Sequence, residues 1–337
     1  MRKVLVSLMS KQTYPNLLLI KENRFKDVDN YIFINTDFTI ENKYFDNILN
    51  ALNFTENDIL NIKFEQEDSI VEMYKELNKE NLDPNAKYLL NITGGTKLMA
   101  LGVLNYFTGR MKEVEAFYLA FDSPSFQQIF PFGQENTFQL TYDVSLEEYL
   151  KCYGVKELKL HRNFTIAPDK PEDLLPLDKE GVARKWRQTN DKDRLEKYYI
   201  ENQWFEEYSF QKIKEAHNIP DHQIAFNVKF NHSSSNVENQ FDVMFIHDLK
   251  LHVVECKIGG LWKNDMFKSA AYKLSAITED LGLSIQGYLF SKNDNFHSRG
   301  QIKDMYKKRA DSMNIKLLDE NHIAPNKIID HLKVLIS

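Results

Sequence analysis

The sequence predicts an α/β protein of two domains, and three features of the chain support this. Predicted strands and helices alternate through the first 140 residues, which is typical of a mostly parallel sheet flanked by helices. Residues 156–190 combine prolines with charged runs and predict a connector between domains. From residue 191 a new order of helices and strands begins, which predicts a second α/β domain.

The first domain is predicted to contain six strands and at least three helices. The strands are Lys3–Ser7, Asn30–Thr36, Leu60–Phe64, Tyr88–Ile92, Val114–Ala120 and Gln127–Phe132. Helical periodicity covers residues 41–52, 69–81 and 97–109, and a further helix at 145–153 is expected to pack against this domain. Ligands of such sheets bind beyond the carboxyl ends of the strands, at the first residues of the following helices.

The second domain follows a different order of elements. Helices are predicted at 192–201 and 204–216, strands near 223–230, 240–247 and 251–258, then a helix at 264–281, a strand at 284–290 and a helix at 299–311. An order of helix, meander, helix and strand is that of restriction-endonuclease-like folds. No internal repeat or low-complexity tract interrupts either domain.

Length and composition narrow the class of protein. At 337 residues the chain exceeds the usual size of one domain, and no apolar run approaches the roughly 20 residues that span a bilayer. The net charge of −6 argues against a protein that coats nucleic acid, although basic residues gather late in the second half. The two cysteines, Cys152 and Cys256, support neither a disulfide framework nor a zinc site, so a cytoplasmic protein is expected.

A glycine-rich turn stands between a predicted strand and a predicted helix in the first domain. Gly94 and Gly95 let the backbone approach a ligand, and the start of the next helix offers N–H groups to a phosphate. Thr96 can cap that helix or bind a phosphate oxygen, and Lys97 adds a cation. The spacing is not that of a Walker A loop, so ATP hydrolysis is not supported. A purely structural turn remains the alternative, and the polar loop 8–16 after the first strand is expected at the same edge of the sheet.

A charged cluster on two predicted strands carries the chemistry of the second domain. Glu255 and Lys257 are two residues apart on one strand and therefore share a face, and a hairpin would bring Asp242 beside them. Two adjacent carboxylates repel each other unless a divalent cation lies between them. The pattern therefore predicts a metal-dependent site that cleaves phosphodiesters, with Lys257 beside the developing charge.

The alternative interpretation of this cluster is an exposed cross-strand ion pair. Such pairs are common and contribute little to the stability of the fold. The strand is otherwise apolar, which favours the catalytic interpretation. His252 lies on the opposite face by strand parity and is predicted to be structural. Trp204 and Tyr208 are predicted to pack in the core, and Lys268 and Lys273 are interpreted first as solvated lysines, with contact to substrate phosphate as the alternative.

Taken together, the motifs of both halves resemble those of the CRISPR-associated ancillary nucleases that join an N-terminal CARF sensor domain to a C-terminal PD-(D/E)xK nuclease domain. The motifs that carry the resemblance are Asn-Ile-Thr-Gly-Gly-Thr-Lys at 91–97, Trp204–Tyr208, Asn239–Val243, Val254–Lys257 and Lys307–Ala310. The resemblance implies a Rossmann-like CARF domain at 1–155, a linker at 156–190 and a restriction-endonuclease-like domain at 191–337.

The resemblance also implies a mode of action. A homodimer would bind a cyclic oligoadenylate made by a type III CRISPR complex, with cyclic tetra-adenylate favoured, and would then cleave DNA or RNA with Mg²⁺ or Mn²⁺. Carried over by position, the active site is Glu206, Asp242, Glu255 and Lys257, and the first three would bind the metal. The ligand site would contain Ser10, Thr13, Gly94, Gly95, Thr96 and Lys97.

The chain departs from the family pattern in two places. Gln240 stands where such enzymes often have Glu, and Leu281-Gly282-Leu283 replaces a common Gly-Gly pair. Neither change removes a predicted metal ligand. The alternative function is a regulatory or nucleic-acid-binding protein with an inactive nuclease-like fold, which the intact Asp242, Glu255 and Lys257 set argues against.

Overall fold

The chain folds into two compact units, Met1–Val155 and Lys156–Ser337. The structure is a computed structural model that describes residues 1–120, 123–133, 136–163, 171–177, 179–189, 199–232, 235–258, 266–282, 285–292, 297–298 and 301–336. Each unit has its own sheet, and the α/β class predicted from the sequence is confirmed. Within these described ranges, no helix is both long and apolar enough to cross a membrane.

The first unit is built on a seven-stranded sheet in the order β3-β2-β1-β4-β5-β6-β7. Strands β1 to β5 are parallel, and β6 and β7 are added antiparallel at one edge. The strands are β1 (Lys3–Leu8), β2 (Asn30–Thr36), β3 (Ile59–Phe64), β4 (Lys87–Asn91), β5 (Glu113–Leu119), β6 (Ser125–Phe130) and β7 (Asn136–Gln139). The helices are α1 (Tyr14–Lys21), α2 (Asp37–Glu41), α3 (Tyr44–Leu52), α4 (Ile70–Lys79), α5 (Lys97–Arg110) and α6 (Leu146–Cys152).

The six strands predicted for this unit are all present, each within two residues of its predicted ends. Helix α1 was not predicted, and it begins at Tyr14, inside the predicted loop 8–16. Its residues Leu17 to Ile20 are all buried. A helix that is apolar on all sides has no amphipathic period by which the sequence could reveal it.

The second unit contains a mixed six-stranded sheet in the order β15-β12-β11-β10-β9-β8. β9, β10 and β11 form an antiparallel meander, and β12 and β15 continue the sheet parallel to β11. The strands are β8 (Val155–His161), β9 (Ile224–His232), β10 (Ser235–His247), β11 (Lys250–Ile258), β12 (Ile285–Lys292) and β15 (Ile315–Leu318), with the two-residue strands β13 (His297–Ser298) and β14 (Gln301–Ile302) paired apart from it. The helices are α7 (Lys179–Thr189), α8 (Trp204–His217), α9 (Met266–Asp280), α10 (Asp304–Ser312) and α11 (Ile328–Leu335).

Three segments of the second unit differ from the sequence expectations. The stretch 156–190, expected to be a connector, begins with β8 as an edge strand of the second sheet and contains α7. The helix expected at 299–311 begins only at Asp304. Most of the helix expected at 192–201 lies outside the described residues, and a π-helical turn, Tyr199–Gln203, leads into α8.

Helices α8 and α9 cover opposite faces of the second sheet. Trp204 and Tyr208 of α8 are fully buried in the same apolar cluster as Val254 and Cys256 of β11, as predicted for the two aromatic residues. On the other face, a Cβ added at Gly287 of β12 would lie 3.6 Å from Leu274 of α9. Because side chains alternate along a strand, residues of β11 with even numbers face α8 and those with odd numbers face α9.

His252 lies on the α8 face, as strand parity predicted. Its ring stacks on Phe245 with centroids 4.6 Å apart, and its Nδ1 is 2.9 Å from the hydroxyl of Tyr288. Burial lowers the pKa of His252 to about 3, and the nearby charges of His247, Lys316 and Lys250 act in the same direction. The imidazole is therefore a neutral core residue at physiological pH.

This buried imidazole predicts an acid-dependent loss of stability that His252→Gln should remove. The unfolded state takes up a proton on His252 below about pH 6.5 and the folded state does not, so the stabilising contribution is present above that pH and is lost as pH falls toward 3. We expect the free energy of unfolding of the wild type, relative to His252→Gln, to fall by up to about 1.4 kcal/mol per pH unit between pH 6 and 4. Urea titrations followed by tryptophan fluorescence measure it, since Trp186, Trp204 and Trp262 all belong to the second unit. A difference that stays constant with pH would contradict the assignment.

Candidate functional site

The β10–β11 hairpin brings together two of the predicted active-site carboxylates, Asp242 and Glu255. The two strands pair from His247–Lys250 to Val243–Val254 across a two-residue turn, Asp248-Leu249, in which both residues have positive φ. Beyond the last pair, the Asp242 carboxylate accepts the backbone N–H of Cys256 through Oδ2 at 2.6 Å. Asp242 is thus fixed beside the strand that carries Glu255 and Lys257.

Glu255 is almost completely buried and lies between two lysines. The Nζ of Lys257 is 2.9 Å from Glu255 Oε2 and 3.4 Å from Asp242 Oδ2, so one ammonium joins both carboxylates. Lys273 of α9 donates to the other oxygen of Glu255, Oε1. The candidate active site therefore contains two carboxylates and two ammonium groups in direct contact.

Burial governs the electrostatics of this cluster. It raises the pKa of Asp242 to about 6, with the charge of Glu255 acting in the same direction and Lys257, Lys273 and the N–H of Cys256 opposing it. Burial alone would lower the pKa of Lys257, but the charges of Asp242 and Glu255 outweigh it and raise that pKa above its ordinary value. Lys257 stays charged at neutral pH, while Asp242 is ionised only because cations surround it.

Glu206 occupies a different position from the other predicted active-site residues. It is buried in the first turn of α8, on the helix that faces Cys256, and Cys256 Sγ is 3.4 Å from Ser209 Oγ one turn later. Burial raises the pKa of the Cys256 thiol, and the charges of Asp242 and Glu206 add to the effect. Glu255 points to the α9 face. In the part of the chain that the structure describes, no three His, Cys, Asp or Glu side chains are close enough to hold a metal ion together.

The second candidate site lies at the carboxyl edge of the first sheet, where β1 and β4 are neighbours. The strand order reverses between these two strands, which is where open α/β sheets bind ligands. The loops that follow them, residues 9–13 and 92–96, lead into α1 and α5. The loops predicted from the sequence to bind a ligand, 8–16 and 93–97, therefore lie at the same edge of the sheet.

Both glycines of the second loop are required by geometry. A Cβ added at Gly94 would lie 2.2 Å from the carbonyl oxygen of Leu8, a distance at which atoms overlap. Gly95 has φ +73°, a conformation that side chains disfavour. The two loops are therefore in backbone contact. The Gly94-Gly95 turn has a structural role, whether or not it also binds a ligand.

The predicted ligand residues differ in what they present to solvent. Thr96 and Lys97 are exposed at the start of α5, and Thr96 Oγ1 accepts the N–H of Met99 at 3.2 Å as its cap. Ser10 is partly buried and its hydroxyl lies 3.2 Å from both the N–H and the carbonyl oxygen of Gln12. Thr13 is fully buried and donates to the carbonyl oxygen of Cys152 at 2.5 Å. The Thr13 hydroxyl therefore connects the loop to the backbone of α6 and does not face solvent.

Two buried asparagines connect these loops. Asn91 at the end of β4 donates to Asn16 Oδ1 at 2.8 Å, and Asn16 donates to the carbonyl oxygen of Leu8 at 3.2 Å. This contact between Asn16 and Asn91 was not predicted from the sequence. The position of Asn16 directly before an apolar run could have indicated a buried polar residue. Lys273 was placed among solvated lysines, since helix periodicity carries no information about which lysine reaches a buried glutamate.

Comparison with known proteins supports the division into two domains. Residues 4–149 match the family model described as the Card1 CARF domain, and residues 193–333 match that described as the Card1-like endonuclease domain. Among curated proteins, none matches this sequence.

Solved structures show the same fold over the whole chain. Protein VC1899 from Vibrio cholerae has a TM-score of 0.73 at 14% identity, covering 99% of this chain and 97% of that one. Can2 from Sulfobacillus thermosulfidooxidans, solved in complex with cyclic tetra-adenylate, has a TM-score of 0.70 at 20% identity with both chains fully covered. A type III CRISPR defence DNA nuclease activated by cyclic oligoadenylate has a TM-score of 0.62 at 13% identity, covering 92% of this chain and 52% of that one. This chain belongs to the CRISPR-associated nuclease family that joins a CARF domain to a Card1-like endonuclease domain.

Proposed function

We propose that this protein is a metal-dependent endonuclease of type III CRISPR defence that cyclic oligoadenylate activates. The observation that carries the proposal is the buried Asp242–Glu255 pair with Lys257 bound to both carboxylates. A binding module gains nothing from two adjacent buried carboxylates, because their repulsion is relieved only by cations. The substrate is DNA or RNA.

The donor set fits Mg²⁺ or Mn²⁺. Both cations prefer hard carboxylate oxygens, and Asp242 and Glu255 offer these at one point, where ammonium groups already neutralise the carboxylate charge. Asp242 and Glu255 would hold the metal. Glu206 was predicted as a third metal ligand, but its helix packs on the other face of the sheet, so it is not included among the proposed ligands. A bound metal would lower the pKa of water to supply the nucleophile. Lys257 would orient that nucleophile and stabilise the charge that develops on the phosphate.

The activator is assigned to the loops at the carboxyl edge of the first sheet. Exposed Lys97 and the N-terminal N–H groups of α5 are suited to phosphate oxygens, in a unit that is otherwise acidic. The Can2 neighbour was solved with cyclic tetra-adenylate, which favours a ring of that size. To activate, the ligand must bind the active arrangement more tightly than the idle one.

A homodimer suits this activator. A cyclic oligoadenylate has rotational symmetry, and two copies of one chain can present the same loops to it. Leu101 of α5, one turn beyond Lys97, has 61% of its surface exposed, and Val71 on the neighbouring helix α4 has 64% exposed. These apolar side chains next to the ligand edge are proposed to lie in the dimer interface.

Removal of the metal-binding charges tests the catalytic proposal. Asp242→Asn and Glu255→Gln keep the size of each side chain and should abolish Mn²⁺ binding in calorimetry together with cleavage. Lys257→Ala should lower the cleavage rate by about 10²- to 10³-fold, because it removes a stabilising charge from the transition state. Glu206→Gln should lose less activity than Glu255→Gln. Full cleavage in EDTA or in Asp242→Asn would exclude this mechanism and favour the inactive nuclease-like alternative.

Removal of the exposed cation at the ligand edge tests the activator proposal. Lys97→Ala should weaken binding of cyclic tetra-adenylate by about tenfold, the effect of losing one charge-assisted hydrogen bond, and should leave Mn²⁺ affinity unchanged. Lys112→Ala is the matched control, since it removes the same charge from an exposed position just before β5, at the opposite edge of the sheet. Fluorescence anisotropy with labelled ligand measures both variants. Cleavage rates that are identical with and without every cyclic oligoadenylate would refute the assignment.

A charge in the proposed interface tests the dimer. Leu101→Asp places a carboxylate where two apolar surfaces would meet and should convert the dimer to a monomer in light scattering, with loss of activation by ligand. Leu101 is exposed in the chain, so the folding of each chain should be unaffected. A wild-type protein that is monomeric with and without activator would contradict the interface.

A further inference from the structure

Lys273 has a contact that the proposed chemistry does not use. It lies on α9 and donates to Glu255 Oε1, while Lys257 donates to Oε2 at 2.9 Å. Each oxygen of the buried Glu255 carboxylate is therefore in contact with an ammonium group. A divalent cation that binds Glu255 has to compete with at least one of them.

The two lysines are held differently. Lys257 contacts both carboxylates, and its side chain is 24% exposed. Among the carboxylates that the structure describes, Lys273 forms an ion pair only with Glu255, and its side chain is 39% exposed. In the same position the Lys273 ammonium also lies 4.7 Å from the centre of the Phe241 ring, a contact that does not depend on Glu255. Lys273 is therefore the cation that can leave Glu255 with the smaller loss of contacts.

We propose that Lys273 occupies the place of a divalent cation at Glu255 in the metal-free protein, and that metal binding displaces it toward a backbone phosphate of the substrate. This rests on the proposed metal-dependent nuclease function. An ammonium group and a metal ion repel each other at one carboxylate oxygen, so the metal drives Lys273 outward. A lysine on a four-carbon stem, freed beside the metal, is a suitable point charge for a neighbouring phosphate. Lys273 is in this sense a positioning residue that couples metal binding to substrate binding.

The first test is metal affinity in the absence of substrate. Full-length Lys273→Met, freed of metal with EDTA and then dialysed, should bind Mn²⁺ about tenfold more tightly than the wild type, because the competing cation is gone. Lys268→Met is the matched control on the same helix, where the ammonium lies 6.0 Å from the ring of Tyr272, and its Mn²⁺ affinity should equal that of the wild type. Calorimetry or electron paramagnetic resonance of Mn²⁺ measures this without any cleavage. Equal or weaker Mn²⁺ binding by Lys273→Met would overturn the proposal.

The second test is the salt dependence of substrate binding. Binding of a labelled oligonucleotide is measured with Ca²⁺ in place of Mn²⁺. The slope of log affinity against log salt should be shallower in Lys273→Met by about 0.7, the value for one lost phosphate contact on a single strand. An unchanged slope would overturn the move of Lys273 to phosphate.

The wild type and Asp242→Asn separate this inference from the proposed function. Wild-type protein that fails to bind Mn²⁺ contradicts the metal-dependent function itself. Wild-type binding that Asp242→Asn abolishes, together with unchanged binding by Lys273→Met, leaves that function in place and contradicts only the role of Lys273.

Discussion

The carboxylates of Asp242 and Glu255 lie buried beside each other at the end of the β10–β11 ladder. Their mutual repulsion is the constraint on which the arrangement of charges in the second unit depends. Burial and mutual repulsion raise the pKa of Asp242 to about 6, and three groups oppose this: Lys257, Lys273 and the N–H of Cys256. Lys257 comes from the same strand as Glu255, whereas Lys273 comes from helix α9, which packs on this face of the sheet. The two strands and the helix therefore each contribute a charged side chain to this buried cluster.

The first unit satisfies a steric constraint instead of an electrostatic one. The loops that follow β1 and β4 touch at Gly94, where no side chain fits beside the carbonyl oxygen of Leu8. Asn16 and Asn91 bind each other, and Asn16 binds that same carbonyl oxygen, so buried polar groups are satisfied where the strands end. These contacts lie below the surface, whereas Thr96 and Lys97 are exposed at the same edge of the sheet.

Sequence patterns predicted the strands of this protein better than its helices and contacts. The apolar runs of β1, β2 and β4 are visible because buried parallel strands are apolar on both faces. Helix α1 was missed because it is apolar all round, and β8 was taken for a connector because Val155–His161 is an edge strand with charged residues along it. At the candidate active site, strand parity correctly placed Glu255 and Lys257 on one face and His252 on the other. Parity could not assign Lys273 to Glu255 or Thr13 to the carbonyl of Cys152, because these contacts join residues far apart in sequence.

The tight turn at Asp248-Leu249 has a consequence for how this protein can vary. Exposed turns usually accept inserted residues, since few contacts depend on their length. This turn, however, fixes which residue of β10 lies beside Glu255, and a shift of one residue would carry Asp242 to the opposite face of the sheet. The carboxylate pair lies about 20 Å along the strand from the turn. The length of this turn is therefore constrained by the position of the carboxylate pair about six residues away, and we expect the unit to tolerate changes of loop length better elsewhere.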